Sequence, residues 1–212
     1  MYINIDGNDY KVIINKKNNK RTYIRVKEDL NIYVYTNKYY MNFEIKKIIN
    51  DNIDDIKNMI NIMNKKKINS DKNMYLGNEV DIVCVSNQRY PEVFNNKLYI
   101  KDISKLNDYY KMLAIDYFKE RLDFIYSKFI DSIPYPVLKV RSMKSRYGVC
   151  NKKSNSITIN SELIKMDVKY IDYVIIHELC HFIYFDHSSD FWNKVSEYCP
   201  EYKKVKKEMK EW

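Results

Sequence analysis

The sequence predicts an α+β fold, on three observations. Short runs of β-branched and aromatic residues open the chain, and one long segment with apolar residues three and four apart follows them. The middle third repeats that order, strands first and a long helix after. The last third again sets short strand-like runs before helical ones, so that strands and helices come in groups.

The elements follow in order. DYKVII (9–14), RTYIRV (21–26) and NIYVYT (31–36) alternate apolar and polar positions, as the strands of a half-buried antiparallel sheet do. KNNKR (17–21) and KEDLN (27–31) are turn-like breaks between them. From Asn42 to Lys67, Phe43, Ile45, Ile48, Ile49, Ile53, Ile56, Ile60 and Met63 recur near helical spacing, with Asn42 the candidate cap. YLG and EVDIVCV suggest a hairpin across Gly77–Asn78, and KLYI (97–100) a further strand. A long helix is expected from about 103 to 129, ended by a linker with Pro134 and Pro136. PVLKVRSM and SRYGVC read as a short hairpin, and NSITIN as a strand closing at Asn160. SELIKM reads as a turn of helix and residues 167–185 as a longer one. A further helix should start near Ser188, whose hydroxyl can cap it, and a last one after Pro200.

Composition narrows the function. With 212 residues, 45% hydrophobic and 31% charged, a soluble globular protein is expected. Only 3 glycines argue against a Gly-rich phosphate loop. No stretch has the apolar length to span a bilayer and the N-terminus does not read as a signal peptide, so no membrane partner and a cytoplasmic location are expected. Cys84, Cys150, Cys180 and Cys199 form no CxxC pair, which favours free thiols over a zinc knuckle. The net charge of +9 permits a nucleic-acid partner, but KKIINDNIDDIKN and EYKKVKKEMKEW mix both signs as solvated helix faces do.

All three histidines of the chain, His177, His181 and His187, lie in HELCHFIYFDH. Residues four apart on a helix lie one above the other, so His177 and His181 can grip one Zn²⁺. Glu178, beside the first, can reach a metal-bound water without taking a coordination position, and act as general base. His187 is six residues past His181 and would rise about 9 Å beyond it on a straight helix. The chain must therefore turn after about 182–184 to bring it back. Tyr184 stands at the glycine place of the HExxHxxGxxH pattern, and tyrosine tolerates left-handed backbone poorly, so the turn must differ from that pattern. Asp186 is a candidate to hold the bend or to accept from a ligand ring. Cys180 reads as a packing residue; Cys150 could ligate a nearby zinc.

KVRSMKSRYGVC places Lys139, Arg141, Lys144 and Arg146 close to Gly148. If the run is a hairpin beside the helix, Lys144 and Arg146 share a face and can steady an oxyanion or bind an anionic substrate group. Arg146 is the first candidate, since a planar guanidinium offers two donors to one oxygen-bearing group, and Lys144 is the reserve. Surface cations are common, and an ion pair holding the hairpin is the competing role. Gly148 itself reads as a close strand approach.

RSMKSRYGVC, ITIN and YIDYVIIHELCHFIYFDHSSDFW closely resemble the bacterial YgjP-like metallopeptidase domain, which is related in its motif region to SprT-like and WLM zinc peptidases. The opening KRTYIRVKEDLNIYVYT and the closing PEYKKVKKEMKEW are also similar, so that the resemblance covers nearly the whole chain. It implies zinc ligands at His177, His181 and His187, the base at Glu178, and an orienting role for Asn160. Tyr147 stands where the family usually has tryptophan, and Cys180 where it has alanine. The implied fold sets zincin-like metal-bearing helices on a small mixed or antiparallel sheet, with a β-rich N-terminal lobe. The expected division is 1–100 for that lobe with its helix, and 101–212 for the metal-binding catalytic domain. The expected function is zinc-dependent hydrolysis of a peptide or protein. Two alternatives remain open: a metal-dependent pyrophosphatase acting on UTP or a similar anionic nucleotide, as described for relatives of the family, and a nucleic-acid-associated module.

Overall fold

The computed structural model is α+β, with six α-helices and four small sheets among the described residues. It describes every residue except Asn19 and Asp71, without the side chains of residues 68–70 and 211. Contacts divide the chain into two compact units, one of 1–71 with 211–212 and one of 72–210. The segment 72–100, expected in the first lobe, thus belongs by its contacts to the second unit.

The first unit is a four-stranded sheet with two helices. Its strands are β1 (Tyr2–Ile5), β2 (Asn8–Lys17), β3 (Tyr23–Val26) and β4 (Ile32–Asn37), in the order β1-β2-β4-β3. β1 is an addition to the expected strands, and it turns into β2 through Asp6 and Gly7, both at positive φ. β2 and β4 run parallel, so the sheet is mixed where antiparallel pairing was expected. The turn expected at 17–21 falls on Asn19, which lies outside the described residues. The helix expected from 42 to 67 is two, α1 (Asn42–Asp51) and α2 (Ile53–Ser70). Asn52 interrupts it, its side-chain amide donating to the Ile48 carbonyl at 2.8 Å in competition with the backbone ladder. The cap also moves by one: the Met41 N–H is held by the Glu44 carboxylate at 2.7 Å. Ile32, Val34, Ile45, Ile49 and Ile56 close the core, and each buried branched side chain contributes roughly 1.5–3 kcal/mol.

The second unit begins with a hairpin, β5 (Met74–Tyr75) and β6 (Asn78–Glu79). It turns at Leu76 and Gly77, one residue before the expected place, with φ of 48° and 82°. A Cβ on Gly77 would come within 3.1 Å of Asp167 Cα, so a tight approach as well as the turn demands glycine. β7 (Asp81–Cys84), β8 (Glu92–Phe94) and β9 (Lys97–Ile100) form the next sheet, with β7 and β9 parallel. β8 and β9 turn through Asn95 and Asn96, both at positive φ, as a two-residue hairpin requires. α3 (Leu106–Tyr126) then packs Ala114, Phe118 and Leu122 into the core.

β10 (Val137–Arg141), β11 (Gly148–Asn151) and β12 (Ser156–Asn160) form the sheet under the site. Their order is β10-β12-β11, with β12 parallel to β10 and antiparallel to β11. The expected hairpin between the first two is therefore not formed: β12 lies between them, and residues 142–147 are a connecting loop. β12 is buried at Ile157 and Ile159, which explains why it takes the centre. A 3₁₀ turn (Ser161–Lys165) leads to α4 (Val168–Cys180), followed by α5 (Ser189–Tyr198) and α6 (Tyr202–Glu211). α4 packs against α3, α5, β11 and β12. Arg121 of α3 fixes it with two 2.8 Å bonds to Asp172. No helix among the described residues is long and apolar enough to cross a membrane.

Candidate metal centre

α4 carries apolar residues on nearly all sides, with Ile171, Ile175 and Leu179 fully buried. It must therefore sit inside the unit, and this brings His177 and Glu178, in its last turn, to the floor of a cleft of about 310 Å³. The helix ends at His181. The chain then turns at 181–183, where Ile183 and Tyr184 both donate to the Cys180 carbonyl at 3.0 Å. None of residues 177–187 has positive φ, so Tyr184 is spared the left-handed conformation, as its size requires. Ser188 caps α5 by accepting from the Phe191 N–H.

The turn returns His187 to its two partners. One ring nitrogen from each of His177, His181 and His187 falls within 4.8 Å of the others. Nε2 of His187 lies 3.1 Å from Nε2 of His177. His181 Nδ1 lies 3.1 Å from the Tyr184 carbonyl, which can only accept. The proton is then on Nδ1, and Nε2 keeps its lone pair for a ligand role. This backbone carbonyl holds the place considered for Asp186, which is exposed and, among the described residues, forms no hydrogen bond or ion pair. Burial and its two histidine neighbours push His177 down to about 3, so it stays neutral and its lone pair is available. Among the described residues, Nδ1 of His177 is buried without a hydrogen-bond partner. Three converging imidazoles, two of them pushed toward the neutral form by burial, fit a divalent cation that accepts nitrogen donors.

Glu178 is 4% exposed, a depth at which an ionised carboxylate is costly. Burial raises its pKa to about 8, against a hydrogen bond from the Cys150 backbone and the charge of Arg146, which lower it. A dication beside it would lower it further. Gly148 explains how the carboxyl fits: a Cβ there would meet Glu178 Cγ at 2.8 Å. The close strand approach expected of Gly148 is thus an approach to Glu178. Cys150 offers its backbone and not its sulfur. The thiol is pushed up to about 11 by burial and by Glu178, and lies outside the histidine group. Cys180 is fully buried, as packing requires.

Arg146 lines the cleft with His177 and Glu178, whereas Lys144 does not. Both ride on the 142–147 loop and are exposed. Asn160, 5% exposed at the end of β12, holds that loop. Its amide nitrogen donates to the carbonyls of Met143 at 2.8 Å and Arg146 at 2.9 Å, and its oxygen accepts from the Met143 N–H at 3.2 Å. The Tyr147 hydroxyl donates to the Met209 carbonyl of α6 at 3.0 Å.

Several residues of the cleft or next to its histidines carry no signal of their own in the sequence. Trp192 stacks on His187, with centroids 5.5 Å apart and planes at 22°, and on its other contact stacks on Tyr202 at 5.2 Å and 10°. Tyr173, one turn before His177, lines the cleft, and so do Lys206 and Lys210. The last two are one turn apart, each directly after a buried apolar residue, Val205 or Met209. That spacing was the available clue.

Against known proteins, the family model described as YgjP-like, metallopeptidase domain matches residues 20–212. No curated protein matches the chain. Among solved structures it is similar to the metallopeptidase zymogen of Pyrococcus abyssi abylysin, at 22% identity over 45% of this chain and 90% of that one, with a TM-score of 0.36.

Proposed function

Since the chain belongs to the YgjP-like metallopeptidase family, we propose that it is a zinc-dependent peptidase, with His177, His181 and His187 as ligands and Glu178 as general base. The observation that carries this reading is the convergence of three imidazole nitrogens, of which His177 lines one cleft with the buried carboxylate of Glu178. Three histidines with an open fourth position are the donor set of a catalytic zinc. When bound, such an ion would polarise a scissile carbonyl and lower the pKa of a water beside it.

The chain's own residues do the rest. Glu178 takes the proton of the attacking water and passes it to the leaving amine. Gly148 leaves the room in which the carboxyl turns. Arg146, on the rim of the same cleft, steadies the negative charge growing on the carbonyl oxygen. Lys144 lies off the cleft, so the role falls to Arg146. The unit 72–210 holds all these groups and is the catalytic part of the chain. The pyrophosphatase reading gains no support. Among the described residues the histidine trio is the one cluster suited to a metal, with no acidic site for a magnesium pair beside it.

The test runs metal-loaded protein on a panel of peptides and nucleoside triphosphates, UTP included, with metal content measured in parallel. Peptides should be cleaved, and a chelator should stop it. Glu178→Gln should keep the metal and lose about 10²- to 10⁴-fold in turnover. Turnover within a few fold of wild type would remove Glu178 from the base role, and hydrolysis of nucleotides alone would overturn the peptidase reading.

A further inference from the structure

The cleft is electrostatically one-sided. Three cations line it, Arg146 from the loop and Lys206 and Lys210 from α6, against one carboxylate, Glu178, which the reaction itself occupies. Among the described residues none of the three cations forms a salt bridge, although eight such bridges form elsewhere.

The helix fixes the two lysines at this edge. Val205 and Met209 are buried, and each precedes one of the lysines, so the apolar stripe of α6 sets their direction. Like charges one turn apart repel, and an acid between them would relieve this. Glu208 does not serve: it pairs with Lys169 at 2.7 Å and accepts from the Tyr170 hydroxyl at 3.3 Å. Lys206 is also held in place. Its ammonium lies 3.9 Å from the centre of the Trp192 ring, whose indole stacks on His187. One ring therefore separates this cation from the histidine trio. Burial and the charge of Lys210 both depress the Lys206 pKa, the mark of a cation lacking a counter-charge.

We propose that Lys206 and Lys210 read a carboxylate of the substrate, either an acidic side chain or a free chain terminus beside the bond presented to the histidines. This rests on the peptidase reading, and makes the enzyme selective for acidic peptide segments. A carboxylate between the two ammonium groups removes their repulsion and gains charge-assisted hydrogen bonds.

Binding separates this proposal from the reaction. The metal-loaded Glu178→Gln protein is titrated with matched peptide pairs, an internal Glu against Gln and a C-terminal acid against its amide, with UTP as competitor. The acidic member of one pair should bind about 10-fold or more tightly, the worth of a charge-assisted hydrogen bond. The pair that discriminates says whether side chain or terminus is read. The ratio should fall toward one in Lys206→Met/Lys210→Met, and at high ionic strength in the unchanged cleft. Melting and metal content are checked on the variant; should the double change unfold it, exposed Lys210→Met and the salt dependence decide. Equal binding of both members, no binding of either, a ratio that survives the substitutions and salt, or UTP binding tighter than every peptide would overturn the proposal. Wild type that cleaves acidic and neutral peptides alike leaves the peptidase reading standing without the selectivity. Discrimination in binding with no peptide cleaved does the reverse.

Discussion

His177 and Glu178 ride on α4, whereas His187 and Arg146 come from loops, and the two halves of the site are held by different physics. The helical half is fixed by burial. Glu178 is 4% exposed, pressed against Gly148 and bonded by the Cys150 backbone, and a single added carbon at residue 148 would strike it. The loop half is exposed and is fixed by a few side chains. Trp192 stacks on His187, and Asn160 holds the backbone on both sides of Lys144. A packed half should fail abruptly when its space is altered. A clamped half should fail by degrees as its clamps are removed.

Gly148→Ala tests the packed half and should have the largest effect of the substitutions that leave every reacting group in place. Displacing the Glu178 carboxyl by about 1 Å should lower turnover by about 10²-fold, and overpacking should cost roughly 1–3 kcal/mol in a denaturant melt. An alanine protein with wild-type turnover and stability would show that the close approach constrains nothing. Arg146→Ala tests the loop half. Turnover per metal-loaded molecule should drop by about 10- to 100-fold with the melting temperature held, while Lys144→Ala, on the same loop but off the cleft, should stay within about 3-fold. A melting temperature that falls for Arg146→Ala with turnover unchanged would make the arginine scaffold. Trp192→Ala should have the mildest outcome, about 10-fold weaker metal binding in a chelator competition. Trp192→Phe should restore most of it, because the clamp is a ring and needs no indole N–H. Equal affinity in all three proteins would mean that His187 needs no clamp.

The same division explains what the sequence made legible. Spacing along a helix is local, so the placing of His177 and His181 one turn apart with Glu178 beside them could be read from HELCH, and the return of His187 followed from the need for a turn. Ser188 as a cap was local too. Pairing between distant strands is not local. RSMKSRYGVC reads as a hairpin until β12 is known to lie between its ends, and β2 beside β4 reads as antiparallel until the parallel register is seen. Asn52 breaks the first long helix because its amide competes for the Ile48 carbonyl, an outcome that apolar periodicity does not encode. Lys206 and Lys210 reach the cleft from about twenty residues beyond His187, in a helix whose mixed charges read as a solvated face. One face is solvated; the other lines the site.

The central claim is that three imidazoles, two from the end of α4 and one from the loop after it, close on a single ion. Anomalous scattering at the zinc edge, from crystals of metal-replete protein, tests it most directly. The account predicts one peak, at coordinating distance of about 2.0–2.1 Å from a ring nitrogen of each of His177, His181 and His187, with no contact to Cys150 or Asp186. A peak held by His177 and His181 alone, with His187 turned away, would contradict it.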